Sequence, residues 1–338
     1  MTRLRLDRAQ VLAYRRRVGG LDERAPWSTD AVRRAAAAGL TDSGPRAAVL
    51  SLHARVRGTT AAAWQHPDLV QLWGPRFSVH LVAEPDRAVF SLGRLPADGP
   101  RRRLAEDLAE RLDAHLAGRE VPYGEAGRAL GTHPNQLRYA ALTGRVLLRW
   151  DGARQPVVRT VPRPQVDPAD ARLELARRYL HVLGPGTADG FGDWAGLRAR
   201  TAGPTFDALA PELTPVRTAV GDAWALTADE PTLRSAAGPT ASARLLPSGD
   251  AFFLLWGPDR ELLLPDAGQR AALWTARVWP GAVLVDGDVV GTWRRARSTV
   301  TVSPWRRLSA VERAAVESEA ASLPLPGLRS PVVVDWEH

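Results

Sequence analysis

The sequence lacks two residue types that carry much of protein chemistry, lysine and cysteine. All 45 residues counted as Lys plus Arg are arginine, and the cysteine count is zero. Without lysine, no side chain can form a Schiff-base intermediate, and the usual P-loop lysine is absent. Without cysteine, disulfides, thiolate nucleophiles and cysteine-ligated zinc are excluded. Abundant Ala, Gly and Pro indicate a GC-rich genome, which explains the missing lysine without any appeal to function.

Signals for metals and membranes are also weak. The seven histidines are scattered, without an HExxH pattern or a close pair. We therefore expect no metal and no cofactor. The first ten residues, MTRLRLDRAQ, contain no apolar h-region, and no apolar run approaches the length of a membrane span. These features predict a cytoplasmic, nucleoid-associated monomer without a membrane partner.

The charge balance favours a polyanionic partner. The chain has 338 residues, a formal net charge of +8 and a pI near 10.9. This length is too great for one small domain and should provide several cores. A basic surface attracts nucleic acid, although charge alone predicts non-specific attraction better than it predicts a function.

One stretch, Gly124–Val161, has the pattern of a winged helix. A short helix over Tyr123–Leu130 precedes a glycine turn, and Thr132 is placed to cap a second helix. Two alternating apolar runs then flank Asp151-Gly152, a dipeptide typical of hairpin turns. Helix, turn, helix and hairpin together form the winged-helix layout used to bind duplex DNA.

The same stretch is strongly basic and predicts a DNA interface. From Gln136 to Arg163 it contains six arginines and one acid, Asp151, so its net charge is 6 − 1 = +5. The amides in the second helix have the geometry that reads adenine, and its arginine can pair with guanine or phosphate. Arg101 and Arg102 lie at the start of the helix that precedes this stretch, where their charge opposes the helix dipole. They are therefore either phosphate contacts or part of a solvated face. The predicted partner is double-stranded DNA, contacted by Asn135, Gln136, Arg138, Arg145, Arg149, Arg154, Arg101 and Arg102.

The layout of three helices and a hairpin recurs before and after this stretch. We therefore predict an α+β protein with three tandem winged-helix units over residues 1–95, 96–163 and 164–230. Residues 231–338 are rich in strand patterns and predict a β-rich, barrel-like domain. Its tryptophans are interpreted as core, with base stacking as the alternative.

Several stretches, in order along the chain, resemble the AlkZ/YcaQ-like family of tandem winged-helix proteins, which includes DNA glycosylases. They are LDRAQVLAYR, GLTDSGPRAAVLSLHARV, DLVQLWGPRFSVHLV, LGTHPNQLRYAALTGRVLLRWDG, RRYLHVLGPGTADGFGDWAGL and VLVDGDVVGTWRR. The resemblance implies three winged helices around duplex DNA, followed by a β-rich barrel. It also implies removal of alkylated or crosslinked bases.

The family's catalytic motif is altered in this sequence. The resemblance places glutamine–x–glutamine, or glutamine–x–aspartate, in the link before the third helix, where this chain has Thr41-Asp42-Ser43. Cleavage of a glycosidic bond develops positive charge on the sugar, which a carboxylate can stabilise while it holds water. Asp42, with Thr41 and Ser43, is therefore the catalytic candidate. The alternative is that Asp42 caps the helix starting near Pro45.

Two main hypotheses follow, and a third is weaker. The first is a monofunctional DNA glycosylase that hydrolyses N-glycosidic bonds in alkylated or crosslinked DNA. The second is a non-catalytic DNA-binding protein of the same fold, acting as a regulator or lesion shield. The third is a scaffold whose winged helices bind proteins.

Overall fold

The computed structural model describes residues 3–42, 44, 46–152, 154–235, 238, 240–325, 327 and 330–337. The predicted α+β class is confirmed: these residues form fourteen α-helices and three sheets. None of these helices combines the length and the apolar character that crossing a bilayer requires. The same residues contain no cluster of three acidic or histidine side chains arranged to hold a metal ion.

In the first part of the chain, the first two helices have side-chain caps. Its elements are β1 (Leu4–Arg5), α1 (Arg8–Val18), α2 (Thr29–Ala35), β2 (Leu40–Thr41), α3 (Ala47–His53), β3 (Leu69–Trp73), β4 (Val79–Ala83) and α4 (Arg87–Ser91). Asp7 caps α1 in a reciprocal capping box with Gln10, and Ser28 caps α2. Both caps satisfy backbone N–H groups that a helix start leaves unpaired.

The second part contains the stretch predicted as a winged helix. Its elements are α5 (Pro100–Leu116), β5 (Val121–Pro122), α6 (Tyr123–Ala129), α7 (Leu137–Ala140), β6 (Val146–Arg149) and β7 (Val157–Thr160). The second helix is shorter than expected, because 3₁₀ turns at residues 134–136 and 141–143 flank α7. The cap at Thr132 is wrong: His133 occupies that position, and its Nδ1 accepts from the Asn135 N–H at 3.2 Å.

The hairpins of these two parts form one sheet. Its strand order is β2-β4-β3-β6-β7-β5, and β3 meets β6 where Gln71 lies opposite Leu148. Trp73, Val146 and Leu148 lie in one apolar cluster with the buried face of α5. The two predicted hairpins are therefore held together by backbone pairing as well as by packing.

The third part is α8 (Pro168–Leu183), α9 (Ala188–Ala195), α10 (Ala199–Leu209), β8 (Leu213–Thr218), β9 (Gly221–Leu226) and α11 (Glu230–Arg234). The first strand of the chain, β1, joins this sheet by running parallel to β8, with Leu4 opposite Val216. The largest apolar core includes Phe90, Leu147, Tyr179 and Phe253. It therefore draws on all four predicted segments of the chain.

The last part forms an open sheet. Its elements are β10 (Ala243–Leu246), α12 (Pro258–Leu263), α13 (Ala267–Leu273), β11 (Gly281–Val285), β12 (Asp288–Ala296), β13 (Thr299–Pro304), α14 (Ala310–Ala321) and β14 (Val333–Trp336). The order is β10-β11-β12-β13-β14, and within the described ranges the two edge strands do not pair. The barrel prediction is therefore wrong. Helix α14 covers the apolar face instead, packing Val316 and Ala320 with Val283 and Val300.

Two tryptophans of this last part lie in its interior. Trp274 and Trp293 are buried, and their indole N–H groups donate to the carbonyls of Phe253 and Leu246. A buried indole needs such an acceptor, because its one N–H loses water on folding. The core interpretation is confirmed for these two residues.

Candidate nucleic-acid interface

A groove lined by arginine runs between the first three parts of the chain. It consists of two cavities, of about 450 and 430 Å³, that share Phe77 as a wall. We call the two together the arginine groove and the 430 Å³ cavity alone the junction cavity. Among the described residues, the lining arginines are Arg76, Arg138 and Arg154 in the first cavity and Arg94, Arg101, Arg198 and Arg200 in the junction cavity. One acid, Asp98, accompanies these seven, which gives 7 − 1 = +6.

The groove arginines come from loops and helix starts that are distant in sequence. Arg76 lies in the turn between β3 and β4, and Arg154 follows β6 in the β6–β7 hairpin. Arg101 lies in the first turn of α5, while Arg198 and Arg200 flank the first residue of α10. Folding therefore concentrates positive charge where these elements meet.

Aromatic rings hold some of these guanidinium groups without neutralising them. The Arg94 guanidinium lies 4.8 Å from the centroid of Phe77, and Arg76 lies 5.0 Å from that of Trp256. Phe77 itself packs edge-on against Tyr139 at 5.1 Å. A ring face attracts a cation but leaves its charge intact. The groove thus combines fixed positive charge with apolar walls.

The structure brings three of the predicted DNA contacts into the groove: Arg101, Arg138 and Arg154. The Arg138 Nε is buried and has no hydrogen-bond partner. Asn135 and Gln136 are exposed beside α7, where Gln136 Oε1 accepts from the Thr132 hydroxyl at 2.5 Å. These amides therefore lie on the surface next to the groove.

The other three predicted contacts lie elsewhere. Arg102 donates from Nε to Glu106 Oε1 at 3.0 Å, and Arg145 Nη2 donates to Asp113 Oδ2 at 2.5 Å. Arg149 is exposed, but it lines a separate cavity of about 390 Å³ that also contains two glutamates. Because carboxylates already pair with Arg102 and Arg145, the charge of these two is less available to a polyanion, whereas Arg149 has no such pair among the described residues.

The predicted catalytic residue Asp42 is buried in a polar cluster. Its side chain is fully shielded from solvent. Oδ1 accepts from the Ala48 N–H in the first turn of α3 at 3.2 Å, and Oδ2 accepts from Gln71 Nε2 at 2.8 Å. Arg46 Nη2 lies 3.3 Å from Oδ2. Asp42 thus satisfies one N–H in the first turn of α3, as the helix-cap interpretation expects, although Arg46 occupies the cap position itself and also forms an ion pair with Asp42.

The cluster continues across the join between β3 and β6. The Trp150 N–H donates to Gln71 Oε1 at 2.7 Å, and Arg46 Nη2 donates to the Trp150 carbonyl at 2.6 Å. The Arg46 guanidinium also stacks 4.3 Å from the centroid of Trp64. We call Asp42, Arg46, Trp64, Gln71 and Trp150 the Asp42 cluster. It ties the first hairpin to the second by hydrogen bonds between side chains and backbone.

Burial dominates the electrostatics of Asp42. Loss of solvent raises the pKa of its carboxyl from 3.8 to about 6, against the opposing effects of Arg46, the Ala48 N–H and Gln71. Thr41 is buried on β2, with Oγ1 3.4 Å from His80 Nε2, and burial lowers the pKa of His80 to about 4. Ser43 lies outside the described residues. The described part of the candidate catalytic link thus faces the protein interior.

Sequence reasoning missed Arg76, Arg94, Arg198 and Arg200 in the groove, and Gln71 beside Asp42. One signal was available for part of the groove. The helices α5 and α10 begin without Ser, Thr, Asp or Asn at the cap position, where Gly99 and Arg198 stand instead. A missing cap leaves backbone N–H groups free to bind an anion.

Comparison with known proteins places the chain in a family. Residues 32–324 match the family model described as DNA glycosylase AlkZ-like. The interstrand DNA cross-link repair glycosylase of Streptomyces sahachiroi is 32% identical over 160 residues, which cover 46% of this chain and 42% of that relative. The structure of the DNA glycosylase AlkZ from the same organism matches 98% of this chain and all of its own, with a TM-score of 0.76 and 21% identity. The chain belongs to the AlkZ-like DNA glycosylase family.

Proposed function

We propose that this protein binds duplex DNA in the arginine groove. The observation that carries the proposal is the charge of the groove, in which seven arginines face one aspartate among the described lining residues. A DNA backbone carries one negative charge for about every 1.7 Å of duplex axis, so neutralising phosphates is the main source of affinity. The aromatic walls formed by Phe77 and Tyr139 offer surfaces for sugar or base.

The relatives sharpen the proposal toward damaged DNA. The Streptomyces sahachiroi relative is named for cross-link repair, and the aligned segment spans less than half of that protein. We infer that the present chain shares a DNA substrate with it and contacts backbone and shape rather than one base sequence. We also propose the arrangement of three winged-helix units within residues 1–230. The predictions of a monomer, no cofactor and a nucleoid-associated cytoplasmic location are kept as part of this proposal.

The DNA-binding proposal is tested by measuring duplex affinity against salt. Fluorescence anisotropy with a labelled alkylated duplex and an unmodified duplex gives both the affinity and its salt slope. If four phosphates are neutralised, the slope of log K against log salt should be about −3.6. If the protein does not bind the duplex at low salt, or if its affinity does not change with salt, the DNA-binding proposal is refuted. Such a result would favour the third hypothesis, a scaffold that binds proteins.

A second candidate function is base excision at Asp42. The raised pKa of about 6 favours it, because acid–base catalysts often carry carboxyls with shifted pKa values. Hydrolysis of an N-glycosidic bond needs a carboxylate that reaches water and the sugar. Asp42 is instead buried, and both of its oxygens accept hydrogen bonds from the protein. This geometry favours the non-catalytic hypothesis, a regulator or lesion shield.

A base-release assay decides between excision and binding alone. The wild-type protein and Asp42→Asn are incubated with an alkylated duplex, and released base and abasic sites are quantified. The non-catalytic hypothesis predicts background release for both proteins together with retained duplex binding. Release by the wild type that falls at least tenfold in Asp42→Asn, with the fold intact, would establish Asp42 as a catalytic group.

A further inference from the structure

Two long helices begin, uncapped, at the junction cavity. Helix α5 follows Gly99 and helix α10 follows Arg198, and neither residue gives its helix a side-chain cap. The other four described helices of at least eight residues each have a side-chain cap, provided by Asp7, Asp167, Thr187 and Ser309. The first residues of α5 and α10 line the same cavity of about 430 Å³. Two positive helix ends therefore face one space.

A buried arginine without a carboxylate partner lines the same cavity. Arg94 is 4% exposed, and it donates from Nε to the Ala195 carbonyl at 3.0 Å and from Nη1 to the Trp73 carbonyl at 3.1 Å. Its Nη2 makes no hydrogen bond to the described residues, and none of their acids lies within ion-pair distance. Burial lowers the pKa of this guanidinium to about 9. A desolvated cation of this kind is stabilised by any anion that enters the cavity.

The remaining charge around the cavity has the same sign. Arg101, Arg198 and Arg200 are exposed on its rim, and the structure gives their side chains no ion pair among the described residues. Asp98 is the one acid in the described lining. Arginine binds phosphate through two parallel N–H donors, which a helix N-terminus complements with backbone N–H groups. The N–H donors, the positive charge and the concave shape of the junction cavity all fit a phosphate group.

We propose that the junction cavity binds a phosphate group of a DNA strand. The phosphate chemistry follows from the two helix ends and the four arginines, while the identity of the strand rests on the proposed function. Phe77 and Tyr139 form the apolar wall beside the phosphate, where a neighbouring sugar or base packs. Phe77 also lines the neighbouring cavity, which contains Arg76, Arg138 and Arg154. The continuing strand is assigned to that cavity.

The first experiment tests the anion site without DNA. Thermal unfolding is measured with inorganic phosphate and with chloride at equal ionic strength, for wild type and Arg198→Gln/Arg200→Gln. Phosphate should raise the wild-type Tm by about 2 °C or more over chloride, since a ligand that binds the folded state stabilises it. The double variant should lose this difference, and Arg198→Lys/Arg200→Lys should keep part of it. The matched control is Arg277→Gln/Arg307→Gln, which removes two exposed arginines outside the cavity lining.

The second experiment tests whether the bound phosphate group belongs to a DNA strand. Duplex dissociation constants are measured for the same proteins, and Arg198→Gln/Arg200→Gln should bind about tenfold more weakly while the control stays within about twofold of wild type. A wild type that phosphate does not stabilise overturns the anion site, whatever its DNA affinity. A phosphate effect that depends on Arg198 and Arg200, with duplex binding unchanged in the double variant, overturns the strand assignment in favour of free phosphate. Phosphate stabilisation with no duplex binding by wild type refutes the proposed function and supports only the anion site.

Discussion

The Asp42 cluster and the arginine groove use arginine in opposite ways. In the cluster, one buried guanidinium, that of Arg46, meets a carboxylate, an indole ring and a backbone carbonyl. In the groove, seven arginines share one aspartate among the described lining residues. The charge of Arg46 in the cluster is balanced by the Asp42 carboxylate, whereas the described lining of the groove holds six more arginines than acids. On the proposed function, the cluster holds the fold together and the groove binds the DNA.

This contrast assigns the proposed function to the arginine groove and not to Asp42. The sequence directed attention to Asp42 as a catalytic group and to the wing arginines as the DNA grip. In the structure, Asp42 accepts a hydrogen bond from Gln71 on β3, and Gln71 accepts one from the Trp150 N–H just after β6. Arg145 is paired with the Asp113 carboxylate.

The largest expected effect is the loss of stability in Asp42→Ala. The change leaves Arg46 and Gln71 buried without their carboxylate partner, and breaking a buried ion pair in this way costs about 3–5 kcal/mol of unfolding free energy. Urea denaturation monitored by tryptophan fluorescence measures it. Asp42→Asn is the control, since its side-chain oxygen still accepts a hydrogen bond, and it should lose less. A decrease in unfolding free energy of less than about 1 kcal/mol in Asp42→Ala would mean that the Asp42 contacts do not stabilise the fold.

The second prediction concerns pH. The carboxyl of Asp42 has a pKa of about 6 in the folded protein and 3.8 as its ordinary value, so the folded state binds the proton more tightly. This group therefore costs stability as pH rises from 4 to 6, and the full cost, about 3 kcal/mol, is present above pH 6. Asp42→Asn carries no such cost. Its unfolding free energy relative to wild type should increase by most of that amount, about 2 kcal/mol, between pH 4 and pH 7.

The difference between the two proteins is the quantity to follow, because other carboxyls titrate in both. Urea denaturation of wild type and Asp42→Asn at several pH values from 4 to 7 provides it. A difference that stays constant across this range would mean that folding does not shift the pKa of the Asp42 carboxyl, and would contradict the dominance of burial at this site.

The third prediction concerns the groove. Arg101 and Arg154 are exposed, line the groove and have no side-chain partner among the described residues. Replacing both with glutamine should remove two phosphate contacts, which lowers the magnitude of the salt slope by about 1.8. Anisotropy titrations of a duplex from low to moderate salt measure the slope. An unchanged slope would show that the bound DNA does not follow the groove.

The smallest expected effect is that of the paired arginines. Arg102 and Arg145 already contact Glu106 and Asp113, so Arg102→Gln/Arg145→Gln should change duplex affinity by less than about threefold. The same titrations measure it, and circular dichroism checks the fold. An effect as large as that of Arg101→Gln/Arg154→Gln would mean that these ion pairs open in the complex and that pairing does not distinguish the two sets.

Local features of the fold were predictable, and contacts over long distances were not. Asp7, Ser28 and Thr187 cap helices as Asp, Ser and Thr commonly do, because capping depends on a few neighbouring residues. The α+β class likewise followed from local periodicity. The pairing of β3 with β6 and the covering of the last sheet by α14 depend on packing between distant segments, for which one sequence gives no register.

The site shows the same division. Asp42 could be chosen from its position in the link, and Arg101, Arg138 and Arg154 from the density of arginine. Their surroundings could not, because Gln71 reaches Asp42 across 29 residues and Asp113 reaches Arg145 across 32. Arg94 and Arg198 come to one cavity only after the helices have packed. The types of the functional residues were therefore visible in the sequence, but the partners that decide their roles were not.

The most direct test compares the salt slopes of duplex binding for wild type, Arg101→Gln/Arg154→Gln and Asp42→Asn. If the groove holds the DNA and Asp42 holds the fold, Asp42→Asn keeps the wild-type slope, and the double arginine variant has a slope smaller in magnitude by about 1.8. A wild-type slope in the arginine variant, together with a changed slope in Asp42→Asn, would contradict the account.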